Sequence, residues 1–301
     1  MKYLFLYIIF FSLNLCLLGQ VEDSSYYYYD RREFKENINF LNRKLAENKY
    51  TNDDAILKAI DYFNLACAYS LTKNYPKCIE AIKQGLLIDT ANNVVYKEPD
   101  YYYVSHTNEW KNLLLDYKKS KGIKLEDSLF LDLSKIAIND QAFYSEINFY
   151  KQKSNLNPTR VKQLWHLKDS LNKKNYSIIE KYLSKKINVL SNETVGITFA
   201  NSCFLVIQHL DIKTQEKYLP IIKDLQLKNE TSGENYALLY DRVSLYKTKG
   251  KQYYGSQINP ITNTVYPIID EKNVDKRRAV LGMEPLKNYL DLFEIKYEPK
   301  K

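Results

Sequence analysis

Glycine and proline are scarce in this chain, at 8 residues each in 301. So few chain-reversing residues exclude a turn-rich β-sandwich and favour helices. Cysteine is nearly as sparse, with Cys16, Cys67, Cys78 and Cys203 alone, no CxxC pair and no Cys/His spacing of the zinc-finger kind. A structural zinc site is therefore not expected, and no metal or cofactor is assigned. There are three histidines, His106, His166 and His209. The nucleophile elbow GxSxG, the phosphate loop, HExxH and the dinucleotide glycine fingerprint are all missing, so the common hydrolase, nucleotide and metalloprotease classes have no signature here.

Hydrophobic residues reach 45%, enough for packed cores over about two domains. Tyrosine is abundant, at 28 residues, and takes over packing positions that Leu and Phe occupy elsewhere. The net charge of +8, from 44 basic and 36 acidic residues, is spread along the chain and forms no basic stripe, so no nucleic-acid partner is expected.

The N-terminus reads as an export signal over residues 1–20. Lys2 precedes an apolar run from Leu4 to Leu18, broken only by Ser12 and Asn14 and followed by Gly19-Gln20 and a polar stretch. That run is short for a bilayer span and suits signal-peptidase processing. An uncleaved anchor is the alternative, and lipid attachment at Cys16 is disfavoured because Leu15 stands where a small residue is needed. No second run downstream is long enough to span a membrane. The expected location is secreted or periplasmic. Without Cys16, three cysteines remain, and an odd number leaves at least one thiol outside any disulfide.

Downstream, Phe34, Ile38, Leu41 and Leu45 place one apolar face on a helix ending near Asn48. From Ala59 the residues Tyr62, Leu65, Ala66 and Tyr69 share one side of a helix. A turn at Asn74-Tyr75 leads to a second helix with Cys78, Ile82, Gly85 and Leu86 on one side, ending near Asp89. Antiparallel helices approach closely only where small residues meet, and Ala66 and Cys78 stand at those places. This frame, from about Ala59 to Asn92, resembles one tetratricopeptide repeat. It departs from the pattern at Cys78, where Ala is usual, and at Thr90, where Pro is usual. The resemblance implies a surface for another protein or peptide, with flanking helices capping the repeat across residues 25–117.

The polar segment 118–127 reads as a linker to a helical domain over 128–296. Its expected helices run from about Ser128 to Lys151, from Arg160, over Ile178–Lys185, Thr194–Leu210, Thr214–Lys228 and Gly233–Thr248, with short closing helices over 273–281 and 285–293. Residues 252–257 and 264–268 flank Asn259-Pro260-Ile261-Thr262-Asn263 and read as a small β-hairpin. The expected fold class is mainly α, a tetratricopeptide-like hairpin followed by a helical domain with that β-hairpin.

Three polar runs interrupt the apolar pattern of this second domain: Gln208-His209-Leu210-Asp211, Tyr240-Asp241-Arg242 and Tyr254-Gly255-Ser256-Gln257. Buried polar groups need partners, so the three are expected to meet. In one reading they form a structural network. In the other they line a cleft, with His209 as general acid/base, Arg242 binding an anion or carbonyl, Asp211 or Asp241 orienting them, and Gln208, Tyr254 and Gln257 binding.

The same runs, with Asp140-Gln141, Tyr236 to Val243, Gln252 to Gln257, Tyr266-Pro267-Ile268 and Asn273 to Leu290, resemble a bacterial domain of unknown function, number 6624 in its series (DUF6624), over about 128–293. A Tyr-Gly-Trp-Pro type segment usual in that domain is replaced by Lys185 to Leu190. The resemblance implies no particular activity. The functional expectation is an exported interaction or scaffold protein, with a hydrolase or transferase centred on His209 as the alternative.

Overall fold

The computed structural model describes residues 24–51, 54–90 and 92–298. The export signal over 1–20 and Cys16 lie outside the described residues. The fold is mainly α, with fourteen α-helices and one two-stranded antiparallel sheet among the described residues. The chain separates into two compact units, one ending at Lys181 and the other beginning at Tyr182.

The first unit opens with α1 (Ser24–Asp30) and α2 (Phe34–Glu47), separated at Arg32, whose φ of 58° lies in the left-handed region. α3 (Ala55–Leu71) and α4 (Tyr75–Ile88) form the expected hairpin across a short turn. Ala59, Ala66, Cys78 and Ile82 are fully buried in it, as sequence periodicity anticipated. The packing is tight at Gly85, where a Cβ would come 2.7 Å from the Phe63 ring. α2 packs against α3.

Three 3-10 turns follow, Val94–Tyr96, Pro99–Tyr102 and Val104–His106. The Pro99–Tyr102 turn seats between α3 and α6 and delivers Tyr101, fully buried, against Trp110. α5 (Asn108–Ser120) starts where Thr107 accepts a hydrogen bond from the Trp110 amide. α6 (Asp127–Gln141), α7 (Tyr144–Lys151) and most of α8 (Pro158–Ser184) complete the unit.

Two helix expectations change here. The helix expected from Ser128 to Lys151 is two helices, because Phe143 takes a left-handed φ of 71° between them. The helices expected from Arg160 and at Ile178–Lys185 are one 27-residue helix, α8, since no Gly or Pro interrupts residues 159–184.

In the second unit, α9 (Asn192–Val195) and α10 (Ile197–Gln208) replace one expected helix; Gly196, at φ 81°, breaks it. α10 supplies Phe199, Cys203, Phe204, Val206 and Ile207 to the core. α11 (Ile212–Leu227) adds Tyr218, Ile222 and Leu225, and α12 (Gly233–Lys247) adds Ala237, Leu239 and Val243. Burying each such aliphatic or aromatic side chain contributes about 1.5–3 kcal/mol before entropy is subtracted.

The hairpin is shorter than expected. β1 (Ile258–Asn259) pairs with β2 (Thr264–Val265), and a lone bridge joins Gln252 to Ile268. Residues 253–256 are not strand, because the amides of Tyr253, Tyr254 and Ser256 are claimed by a carboxylate. α13 (Val274–Val280) stops at Gly282, φ 71°, and α14 (Leu286–Asp291) closes a small cluster of Ile258, Val274, Leu286, Leu290, Ile295 and Tyr297. Among the described residues no helix is long and apolar enough to cross a membrane, and none of Cys67, Cys78 and Cys203, all buried, is in a disulfide.

Candidate functional site

Asp241 sits in the apolar middle of α12, completely buried. A carboxylate there must be surrounded by donors. It accepts the Tyr253 amide at 2.7 Å and the Tyr254 amide at 2.9 Å on Oδ1. On Oδ2 it accepts the Ser256 amide and the Ser256 hydroxyl, each at 2.9 Å. Burial pushes its pKa up, and the hydrogen bonds from Ser256, Tyr254 and Tyr253 oppose that shift. The loop can wrap one carboxylate this tightly because Gly255 takes φ 73° and a Cβ there would meet Leu286 at 2.7 Å.

The carbonyls of the same loop are claimed from the other side. Arg277 donates to the Tyr253 carbonyl through Nε at 3.0 Å and Nη2 at 2.9 Å, and its guanidinium lies 4.2 Å from the Tyr253 ring centre. Arg278, fully buried, donates to the Tyr254 carbonyl at 2.9 Å and to the Glu284 carbonyl at 2.7 Å. The Tyr289 hydroxyl reaches the Ser256 carbonyl at 2.9 Å. Gln252 and Gln257 close the ends of the loop. The Gln252 amide donates to the carbonyls of Gln257 and Tyr266, its oxygen accepts the Gln257 N–H, and the Gln257 side chain donates to Leu238 on α12. Tyr254 is buried in a ring cluster with Tyr236, Tyr240 and Tyr253, and burial raises its hydroxyl pKa.

The remaining sequence candidates fall at the α10–α11 junction. Arg242 donates from Nη1 to the Gln208 carbonyl at 2.7 Å, and Gln215 donates to the Gln208 and Leu210 carbonyls at 3.0 and 2.9 Å. These side chains satisfy the carbonyls at the end of α10, where a cation is also favoured by the helix dipole. His209 is the half-buried C-cap of α10. Asp211 is exposed and caps α11, accepting the Lys213 and Thr214 amides and the Thr214 hydroxyl; that hydroxyl foremost holds its pKa below the usual carboxylate value. Gln208 is buried, and neither atom of its side-chain amide has a partner.

The structure thus joins Asp241 to the Tyr254–Gln257 segment, and Arg242 to the residue before His209. It directs Asp211 to helix capping. His106 and His166 are exposed.

Sequence reasoning singled out neither Arg277 and Arg278 nor Lys168 of the first unit. Lys168 Nζ, completely buried, donates to the Asp140 and Ala142 carbonyls at 2.6 and 3.1 Å and lies 3.8 Å from the Tyr144 ring centre; burial lowers its pKa to about 8. The visible signals were the adjacent arginines in Asn273 to Leu290 and the pair Asp140-Gln141.

The second unit is a helical domain organised around one buried aspartate and the loop that wraps it. Nearly every residue that makes this knot falls in the motifs quoted above. The chain belongs to DUF6624, a family of unknown function, which it matches over residues 137–301, more than half its length. No curated protein and no solved structure matches it.

Proposed function

We propose that the chain is an exported protein, secreted or periplasmic, that works as an interaction or scaffold module through its N-terminal helices. The observation that carries this reading is where the candidate catalytic groups are spent. Asp241, Arg242 and Asp211 all bond the protein's own backbone, as structural groups do. The α3–α4 hairpin, with small residues at its contact and α2 packed alongside, supports the tetratricopeptide reading. Because the two helices run antiparallel, the start of α3 and the end of α4 share one end of the hairpin. Ile56, Leu57 and Leu87 are exposed there, Leu87 at 74%. An apolar end of this kind suits the side chains of an exported protein or peptide.

Selection of peptides from a display library on the purified mature chain tests the reading. Binding should weaken by about tenfold or more, ~1.4 kcal/mol, in Leu87→Glu and Ile56→Glu. Failure to select any peptide, or equal binding by both variants, would refute it. N-terminal sequencing of the exported chain should find a start between about Leu18 and Glu22; a start at Met1 overturns the export claim.

One observation favours the enzyme reading, a hydrolase or transferase around His209, Asp241, Arg242 and Gln257. The unpartnered Gln208 amide costs about 1–3 kcal/mol for each unsatisfied atom, a cost a ligand would remove. Under that reading Gln208→Leu stabilises the protein and abolishes small-molecule binding.

A further inference from the structure

Where α8 meets α6 inside the first unit, its buried face is polar. Lys168, Asn172 and Asn175 stand one helical turn apart along that face, and all three are buried. Opposite them, on the last turn of α6, Asn139 and Asp140 are buried as well. Two contacts fix how the helices meet. Lys168 Nζ donates to the Asp140 and Ala142 carbonyls at 2.6 and 3.1 Å, and Asn139 Nδ2 donates to Asn175 Oδ1 at 3.2 Å. Asn172 lies between Lys168 and Asn175 on the same face of α8, so it is carried to the same place as Asn139.

The lysine is satisfied by its carbonyls, but the asparagines are not satisfied by one another. Asn139 Oδ1, Asn172 Oδ1 and Asn175 Nδ2 are buried and make no hydrogen bond to any protein group. The atoms left over are two acceptors and one donor. Turning over the amides of Asn139 and Asn175 together reverses the bond between them and again leaves one acceptor and one donor. This mixture decides what can fill the site. A metal cation takes acceptors alone and an anion takes donors alone, so each would strand part of the set. A water molecule matches it: its two hydrogens go to the oxygens of Asn139 and Asn172, and a lone pair accepts from Asn175. About three bonds to otherwise unsatisfied groups is the usual holding of a buried water.

We propose that Asn139, Asn172 and Asn175 form a binding site for one internal water, which bridges α6 and α8. The water bonds all three orphaned atoms and adds a second polar link beside the direct Asn139–Asn175 bond. It also fixes the register of the two helices. A slip of α8 by one residue turns its side chains by about 100° and carries Asn172 and Asn175 off the seam together. A site of this kind leaves no spacing motif, because its members come from two helices and meet through one face of α8.

The test uses the full mature chain, labelled with nitrogen-15. Water-selective nuclear Overhauser spectra should show a cross-peak between the Asn175 side-chain amide protons and a long-lived water. A crystal structure should place one ordered water within about 2.5–3.2 Å of all three asparagine side chains. Asn172→Leu fills the space with carbon and should lose the cross-peak while circular dichroism shows it folded. Asn288→Leu, at an exposed position of α14, should keep it. Assigned Asn175 amide protons without a water cross-peak in the parent, or ordered asparagines with no water among them, overturns the proposal whether or not the variants fold. A cross-peak that persists in folded Asn172→Leu overturns it too.

Discussion

Asp241→Asn changes one oxygen for one nitrogen and leaves the volume of the side chain intact. Its consequence follows from the two halves of the carboxylate. Oδ1 serves the Tyr253 and Tyr254 amides, so the asparagine oxygen is best left there. The new Nδ2 then faces the Ser256 amide and hydroxyl, which donate to Oδ2 at 2.9 Å each. The hydroxyl can rotate to accept; the amide cannot. One buried N–H is left unsatisfied, at about 1–3 kcal/mol, and the bonds to Oδ1 lose their charge assistance, at about 1 kcal/mol more. Relief of the buried charge returns part of this, so a net loss of about 1–3 kcal/mol is expected. Urea unfolding followed by far-ultraviolet circular dichroism measures the loss. Hydrogen exchange localises it, with protection of the Tyr253, Tyr254 and Ser256 amides falling before that of α10. A variant as stable as the parent to within about 0.5 kcal/mol, with those amides still protected, would refute the structural assignment of Asp241.

Arg242→Ala should cost about 2–5 kcal/mol in the same assay by stripping the Gln208 carbonyl of its charged donor; a near-neutral Arg242→Ala together with a neutral or stabilising His209→Ala would move weight to the catalytic reading. Ala66→Leu should overpack the α3–α4 contact by about 1–3 kcal/mol, and an unchanged melting temperature would mean the helices are not paired through that residue. Lys168 is lowered from 10.5 to about 8, so the unfolded chain holds the extra proton between those values and stability should rise with pH from about 8 upward. Lys168→Met should flatten that rise in urea-unfolding measurements at pH 7.5 and 9.5, and an identical slope in both proteins would contradict it.

The helices were legible wherever periodicity met a clear stop, as in α12 or at Gly282. Their breaks were not, where a residue without a turn signature takes a left-handed backbone, as Phe143 does. The hairpin was overdrawn because alternating Tyr and Gln residues look like a strand locally. The partner that pulls 253–256 out of the sheet is Asp241, on a helix more than ten residues earlier. The meeting of three polar runs followed from the rule that buried polar groups pair, and Asp241 obeys it. The rule could not say which group each run would choose, and Asp211 turned to its own helix instead.

The loop around Asp241 also sets an order of assembly. Its amide side can be satisfied as soon as Ser256 exists, but its carbonyls wait for Arg277 and Arg278, 24 residues beyond the positions they serve, and for Tyr289, 33 beyond. The loop therefore cannot complete its bonds until the chain has been made as far as Tyr289, and a chain cut short before Tyr289 never ties its final bond.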